Sequence, residues 1–275
     1  MAIRADLFSY LQDFLLRQSG LVLADDKVYL IRSRAQALLR KYKVATLDKL
    51  VEEIKLNEKG EMAHHLIDAM TTNETLFFRD TYPFEALDSL IFPELIRGNP
   101  KSSIRIWSAA SSRGQEAYSI AMTAAQAIPM AAQRVKILGT DLSESAVAYA
   151  IEGVYSPMEV KRGMEQKQLT RFFKPQKDDW AVNDVLRNMV HFEEGNLVDD
   201  QLVHQVRKYG PFDIVFCRNV LIYFSPEERK KVIDRLARAM KRGGYLLTGA
   251  TEVPEGNVSR WECVMFKNKR LWKLL

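Results

Sequence analysis

Asp141, Asn196 and Asn219 lie at or just beyond the ends of apolar runs that predict β-strands, and Glu116 lies in the first predicted turn of the helix that follows the first strand. Open α/β sheets bind ligands in the crevice at the carboxyl ends of their strands, so carboxylates and amides there could hold the hydroxyl and amino groups of a small molecule. Each residue also has an ordinary explanation, because acids are favoured at helix starts and asparagine is common in turns.

The turn between the first predicted strand and its helix is made of small residues but is poor in glycine. Gly114 is the one glycine within residues 107–119. A dinucleotide site would need the pattern G-x-G-x-x-G, so that helix N–H groups can approach a pyrophosphate, and an acid about 20 residues later. Asp141 comes later than that, at the end of a second predicted strand. The turn therefore favours a nucleoside. S-adenosylmethionine is the common one in this architecture, and Asp141 would accept hydrogen bonds from both ribose hydroxyls.

The segment 71–79 combines hydrogen-bonding side chains with two adjacent phenylalanines and shows no clean helical or strand period. Arg79 follows the phenylalanines, and its planar guanidinium could form a forked pair with a carboxylate of the cofactor or of a substrate. The alternative is a surface arginine. We interpret the segment as part of the site rather than as a linker.

Strands and helices are predicted to alternate over most of the chain, which is typical of a parallel sheet with helices on both faces. Residues 155–192 interrupt the alternation with a helical piece and short strand-like runs at 180–182 and 185–189, so we interpret them as an inserted subdomain. Residues 1–72 show only helical periodicity. We therefore predict an α/β fold in two domains, an all-helical domain at 1–72 and an α/β domain at 73–275.

The second predicted helix carries a basic surface beside its apolar stripe, and no acid occurs between Lys27 and Thr46. The six basic residues are Lys27, Arg32, Arg34, Arg40, Lys41 and Lys43. A charged helix face is most often simply solvated. A bias this local, in a domain that the sheet does not need for its chemistry, instead predicts docking on an acidic partner.

The composition is that of an ordinary globular protein, with 47% hydrophobic and 27% charged residues. No apolar run approaches the ~20 residues that span a bilayer, and the first residues lack the apolar core of a signal peptide, so we expect a cytoplasmic protein without membrane insertion. Cys217 and Cys263 form no pair motif and the histidines are scattered, so we expect neither a disulfide nor a metal site. The net charge of +5 suits an anionic partner, nucleic acid being one candidate.

Given these motifs, the chain resembles the chemoreceptor glutamate methyltransferases, the CheR family, over nearly its whole length. Five segments in order carry the resemblance, namely residues 71–79, 107–119, 140–141, 195–197 and 212–224. The resemblance implies a Rossmann-like class I methyltransferase sheet with S-adenosylmethionine as cofactor and S-adenosylhomocysteine as product. It also implies methyl-ester formation on glutamate side chains of chemoreceptor cytoplasmic helices, in bacterial chemotaxis.

Roles for individual residues follow from the same resemblance. It places Asn73, Thr75 and Arg79 at the methionine end of the cofactor with Glu116 on its amino group, Asp141 at the ribose, Asn196 and Leu197 at the adenine, and Asn219 and Val220 beside the methyl group. Arg79 and Tyr223 are the expected catalytic residues. The basic helix would dock on the receptor, and we expect a monomer that binds no nucleic acid.

Methylation of a glutamate would need no catalytic base. Its carboxylate, with an ordinary pKa of about 4.3, is already ionised at neutral pH. The protein then has to align the carboxylate oxygen with the methyl carbon and the sulfur, and to exclude water. Arg79 should orient the acceptor rather than neutralise it, since a tight ion pair would stabilise the ground state as much as the transition state.

The chain departs from the family pattern in two places. Some members capture a peptide tether at the receptor's C-terminus with a glycine-rich loop on the inserted subdomain, whereas residues 174–180 contain no glycine here. We therefore predict a tether-independent enzyme. Gln115 and Ala117 stand where many relatives have an acid and a proline.

Two other functions compete with this hypothesis. A nucleic-acid methyltransferase would use the same sheet, and Cys217 could be the nucleophile of a pyrimidine C5 enzyme. However, residues 217–220 lack the Pro-Pro-aromatic run that is usual for base-amine methylation. The second alternative is a catalytically silent adapter that uses S-adenosylmethionine only as a ligand.

Overall fold

The structure is a computed structural model that describes residues 3–98, 103–256 and 258–275. The chain forms two compact units. The first contains Met1–Thr72 together with Tyr223–Glu228, and the second contains Asn73–Ile222 together with Arg229–Leu275.

The first unit is helical. Its helices are α1 (Ala5–Ser19), α2 (Val28–Lys41), α3 (Leu47–Leu56) and α4 (Glu61–Met70). Gly20 ends α1 in the left-handed conformation with φ of 70°, which glycine adopts without steric cost. Thr46 begins α3, since its side chain accepts the Lys49 N–H. The apolar stripes face inward and bury residues such as Phe14 and Ile31 completely.

The second unit is built on a sheet whose strand order, within the described residues, is β6-β2-β1-β7-β8-β10-β9. The first five strands in that order run parallel, β10 is antiparallel to β8, and β9 is antiparallel to β10. The strands are β1 (Ile104–Ser108), β2 (Val135–Asp141), β3 (Val154–Tyr155), β4 (Phe173–Gln176), β5 (Asp179–Val182), β6 (Val190–Glu194), β7 (Phe212–Cys217), β8 (Met240–Thr248), β9 (Trp261–Phe266) and β10 (Lys269–Leu274). The predicted α/β fold with a helical N-terminal part is confirmed.

Helices cover the sheet and bury the apolar side chains of its central strands, including Ile106 and Phe216. Their bounds are α5 (Tyr82–Ala86), α6 (Phe92–Gly98), α7 (Gln115–Ala127), α8 (Ala131–Arg134), α9 (Glu144–Glu152), α10 (Pro157–Lys161), α11 (Gln166–Phe172), α12 (Asp184–Arg187), α13 (Leu202–Val206) and α14 (Pro226–Ala239). A π-helical stretch at Leu87–Ile91 joins α5 to α6. Among the described residues, no helix is both long and apolar enough to cross a bilayer.

The insert contains a small antiparallel sheet in the order β3-β5-β4. The strand-like run at 180–182 belongs to β5, but the run at 185–189 does not form a strand. Asn183 caps a short helix there, because its side chain accepts the Leu186 N–H at 3.1 Å. This local cap overrides the β-branched and apolar character of the segment.

Candidate functional site

The carboxyl ends of β1, β2 and β7 meet at one edge of the sheet, because these strands are adjacent and parallel. Ser108, Asp141 and Cys217 are their last residues. Polar groups that follow these strands are therefore brought to one crevice, the usual ligand position of such sheets.

Asp141 is nearly buried, and backbone N–H groups hold its carboxylate. Oδ2 accepts the Ser112 N–H at 2.7 Å and Oδ1 accepts the Ser143 N–H at 3.0 Å. Asn73 joins the same cluster, since its Nδ2 donates to Ser143 Oγ and its carbonyl accepts from Ser112 Oγ, both at 3.1 Å. The structure thus unites Asn73 with Asp141 through Ser112 and Ser143, neither of which was predicted as a site residue.

Glu116 begins α7 and has protein donors on both carboxylate oxygens. Ser108 Oγ donates to Oε1 at 2.8 Å, and Arg218 Nη1 donates to Oε2 at 2.8 Å. The first-turn position predicted from sequence is correct. The Arg218 partner was missed, although a cation directly after a buried strand was a usable signal.

Arg218 ties three parts of the crevice together. Its side chain is 1% exposed, and Nη2 donates to Asp80 Oδ2 at 2.7 Å and to the Arg79 carbonyl at 2.9 Å. Its Nε has no hydrogen-bond partner among the described residues. A buried guanidinium between two carboxylates satisfies the rule that interior charges must be paired.

The segment that carries Arg79 has an unusual backbone. Phe78, Asp80 and Thr81 have φ values of 51°, 66° and 44°. Such values are rare for bulky and β-branched residues and cost about 1–3 kcal/mol each, so the surroundings must hold the segment in place. The Phe78 N–H donates to Ser119 Oγ at 3.0 Å, and Arg79 Nη1 donates to the Glu74 carbonyl at 3.0 Å.

The inserted subdomain supplies part of this support. Phe77 is completely buried and packs edge-to-face on Tyr155 and Phe173, with ring centroids 5.0 and 5.6 Å apart. Gly163, with φ of 93°, lies so close that a Cβ atom there would stand 1.9 Å from the Phe77 carbonyl oxygen. No other residue fits that contact without movement of the backbone.

The predicted adenine residues lie in a turn after β6. The Asn196 side chain accepts the Val198 N–H at 3.1 Å, as asparagines in turns commonly do. The carbonyl of the buried Leu197 accepts a hydrogen bond from Arg235 Nη1 at 3.3 Å. Arg235, itself nearly buried, also donates from Nε and Nη2 to Asp200 Oδ1, at 3.0 and 2.8 Å.

The last group of predicted residues follows β7. Asn219 is left-handed with φ of 57°, a conformation that asparagine tolerates, and it and Val220 are half-buried. Tyr223 belongs to the helical unit, where its carbonyl accepts the Val22 N–H at 3.2 Å. Its catalytic role stays a prediction.

Cys217 is fully buried. Burial raises the pKa of its thiol well above 9.0, and Glu252 and Glu116 add to the rise. The thiol therefore stays protonated at neutral pH, which argues against its use as a nucleophile. Within the described part of the chain, no cluster of His, Cys, Asp and Glu side chains could hold a metal ion.

The six basic residues of the helical unit have different surroundings. Arg34 Nη1 donates to the carbonyls of Met70 and Thr71, at 2.6 and 3.0 Å, and Nη2 donates to Thr72 Oγ1 at 3.1 Å. Lys27 pairs with Asp26, and Lys41 lies beside His65 and Glu61. Arg32, Arg40 and Lys43 are exposed.

This arrangement defines a class of protein. A parallel sheet with a glycine-poor first turn, an acid at the end of the second strand and polar groups around one crevice is that of an α/β methyltransferase that binds S-adenosylmethionine. Comparison with known families agrees. Residues 73–270 match the model of the CheR methyltransferase SAM binding domain, and residues 6–71 match that of the CheR methyltransferase all-alpha domain. The chain belongs to the CheR methyltransferase family.

Relatives extend over almost the whole chain. It is 40% identical over 265 residues to the chemotaxis protein methyltransferase Cher2 of Pseudomonas putida, covering 94% of each chain. It is 42% identical to a chemotaxis protein methyltransferase of Vibrio parahaemolyticus, covering 95% of this chain and 94% of that one. The resemblance predicted from sequence is confirmed.

Solved structures give weaker likenesses. The rRNA methyltransferase aviRa of Streptomyces viridochromogenes has 12% identity and a TM-score of 0.45, covering 74% of this chain and 87% of that one. The magnesium protoporphyrin IX methyltransferase of Synechocystis PCC 6803, with bound SAM, has 15% identity and a TM-score of 0.37, covering 84% and 97%. These scores are too low to bear on the function of this chain.

Proposed function

We propose that this methyltransferase transfers the methyl group of S-adenosylmethionine to glutamate side chains of chemoreceptor cytoplasmic helices, and that it does so in the cytoplasm. The observation that carries the proposal is Arg79. Its half-exposed guanidinium has one hydrogen bond within the described residues, to the Glu74 carbonyl, and is held by a strained segment that the crevice anchors. Unused donors on such a fork suit a carboxylate substrate.

The residues present fit the cofactor. Asp141 lies at the carboxyl end of β2, where its carboxylate would accept hydrogen bonds from ribose hydroxyls. The buried Ser111 Oγ and Arg218 Nε have no partner in the described residues, so the crevice retains polar groups to satisfy. Asn73, Thr75 and Arg79 would hold the methionine end, and Asn196 and Leu197 the adenine.

Glu116 gains a second task in this proposal. Each of its oxygens has one protein donor and can accept another, so it can still receive the cofactor's amino group. Through Arg218 it also holds the segment with Arg79. Asn219 and Val220 would line the methyl group.

The cofactor supplies an activated methyl group on a sulfonium. The protein's own residues orient the acceptor and exclude water, because an ionised glutamate needs no base. Arg79 would hold the acceptor carboxylate in line without neutralising it, and a catalytic role for Tyr223 stays a prediction from the family resemblance. The buried, protonated Cys217 takes no part.

The exposed basic residues of α2 would dock the receptor. Arg32 and Arg40 share the exposed surface of α2 with Tyr29, whose side chain is 59% exposed, and Lys43 is exposed just beyond the end of the helix. An aromatic ring among cations suits an acidic amphipathic helix. Arg34 has a different role, since its donors cap the end of α4 and hold the residues that precede Asn73.

We further propose that the receptor's C-terminal tether is not captured. The β4–β5 hairpin has a tight turn at Lys177 and Asp178, and Lys177 is left-handed with φ of 55°. The edge strand β4 contains Pro175, which has no N–H to pair with an added strand. This hairpin leaves neither a glycine-rich loop nor a continuous edge for a peptide.

The test is to incubate the protein with labelled S-adenosylmethionine and receptor cytoplasmic fragments, and to map the label. We expect label on glutamate that mild alkali removes. Alkali-stable label on nucleic acid would instead support a nucleic-acid methyltransferase. Cofactor binding without label on any receptor fragment would support a silent adapter. Light scattering during the same preparation would test the expected monomer.

A further inference from the structure

Glu252 is a buried carboxylate that the chemistry described so far does not use. Its residue is 8% exposed, and it lies just beyond the carboxyl end of β8. Its Oε2 accepts two backbone N–H groups, that of Asn219 at 2.8 Å and that of Gly249 at 2.6 Å. Its own backbone is held as well, since its carbonyl accepts from Thr248 Oγ1 at 2.7 Å.

The approach of this carboxylate is unusually close. A Cβ atom on Gly249 would stand 2.5 Å from Glu252 Oε2 and 3.2 Å from the Asn219 nitrogen. Glycine is therefore the residue that leaves room for the shared oxygen at position 249. The result is a bridge between the chain after β7 and the chain after β8, centred on one carboxylate oxygen.

The bridge acts on a residue with an uncommon backbone. Asn219 is left-handed, a conformation that asparagine tolerates but does not strongly prefer. A hydrogen bond from a backbone N–H to a carboxylate is about twice as strong as one between neutral groups. The Glu252 carboxylate thus selects one of the backbone conformations open to Asn219.

We propose that Glu252 is a positioning residue for methyl transfer, which fixes the backbone of Asn219 and thereby the wall beside the transferred methyl group. The inference rests on the proposed function for the place of that wall. Because misplacement of reacting groups by about 1 Å can reduce rates about 100-fold, the bridge should affect the chemical step more than cofactor binding.

The second oxygen of Glu252 makes the proposal easy to test. Oε1 has no hydrogen-bond partner among the described residues. In Glu252→Gln the amide oxygen can still accept both backbone N–H groups, and the amino group takes the place of Oε1. Glu252→Ala removes the bridge. A positioning role through Oε2 therefore predicts that glutamine restores most of what alanine loses.

Asp213→Ala is a matched control at the other end of β7. Asp213 is also a nearly buried carboxylate, and it accepts the Arg105 N–H at 2.8 Å and the Lys241 ammonium at 2.7 Å. Its loss should lower thermal stability as the loss of Glu252 does. It should leave the rate per folded molecule near that of the wild type.

The experiment measures kcat on receptor fragments, the Kd of S-adenosylmethionine and hydrogen exchange at the Asn219 amide. We expect Glu252→Ala to lower kcat about 10- to 100-fold, to change Kd less than about threefold and to speed exchange at Asn219. Glu252→Gln should recover most of kcat. Equal decreases of kcat in Glu252→Ala and Asp213→Ala would overturn the proposal. A rise in the cofactor Kd by the same factor as the fall in kcat would overturn it as well.

The exchange measurement separates this proposal from the proposed function. If the wild type labels no receptor, the substrate assignment fails, while slow exchange at Asn219 that Glu252→Ala accelerates still supports the bridge. Unchanged exchange at Asn219 in that variant would overturn the bridge whatever the substrate.

Discussion

Replacement of Asp80 tests whether the ion-pair network holds the segment with Arg79. Asp80 is the outermost member, with a side chain that is 39% exposed, and it accepts from Arg218 Nη2 at 2.7 Å. Asp80→Asn keeps an oxygen acceptor and a residue that tolerates the left-handed conformation, but removes the charge. Asp80→Ala removes the acceptor and also that tolerance.

The expected magnitudes follow from these contacts. A hydrogen bond to a charged group contributes about 1.5–3 kcal/mol, and the partial exposure of Asp80 places its pair at the lower end. Asp80→Asn should therefore lower the free energy of unfolding by about 1 kcal/mol. Asp80→Ala should cost about 3 kcal/mol, because an alanine with positive φ adds about 1–2 kcal/mol of strain. Arg218 keeps the Glu116 carboxylate and the Arg79 carbonyl in both variants.

The assay combines thermal unfolding with calorimetric titration of S-adenosylmethionine. This destabilisation acts on the segment that is proposed to hold the methionine end of the cofactor. The fraction of protein molecules that can bind the cofactor therefore decreases. The Kd should rise up to about fivefold in Asp80→Asn and up to about 100-fold in Asp80→Ala. Glu85→Gln is the matched control. Glu85 comes a few residues after Asp80 in the chain and forms an exposed ion pair with Lys267.

A wild-type Kd in Asp80→Ala, with the Tm lowered, would show that the network stabilises the fold without holding the binding segment. A wild-type Tm and Kd would refute the ion pair itself. A loss in Glu85→Gln equal to that in Asp80→Asn would show that the effect comes from general surface charge.

Three further predictions concern other parts of the molecule. Arg40→Glu should weaken receptor methylation and leave the cofactor Kd unchanged. Arg34→Glu should weaken methylation and also lower the Tm of the protein, since it loses three hydrogen bonds at residues 70–72. Equal behaviour of the two variants in the methylation and unfolding assays would contradict this. Gly163→Ala should reduce both the Tm and the methylation rate strongly, and a wild-type Tm would be the contrary result. Burial raises the pKa of Tyr118 to about 12 in the folded protein, above the ordinary 10.0. The stability contributed by its neutral form should therefore be complete below pH 10 and decline toward pH 12. Denaturant titrations across that range would measure this decline.

Several features of the structure follow from residues that lie close together in the chain. Ser143 begins α9 by accepting the Ala146 N–H, and Gly153 ends it in the left-handed conformation. Alternation of strands and helices likewise predicts parallel pairing, and this brings Asp141 to the crevice. These features follow from sequence because caps and turns depend on residues a few positions apart.

Other features depend on residues that are far apart in the chain. Arg218 and Glu116 are separated by 102 positions, and Arg218 and Asp80 by 138. No helical or strand period links such residues. The sequence therefore marks Glu116 as a candidate ligand residue, whereas only the fold shows that it also neutralises a buried arginine.

The same distinction applies to the basic helix and to Glu252. The sequence identifies six basic residues in and beside α2 as equivalent, but the folded chain engages Arg34 at the end of α4 and leaves Arg40 exposed. Glu252 has no sequence signal at all, and its place beside Asn219 arises because β7 and β8 are neighbours in the sheet. Residue type and local period determine which groups can do chemistry, while sheet order and burial decide which of them meet, because long-range pairing depends on how the whole core packs.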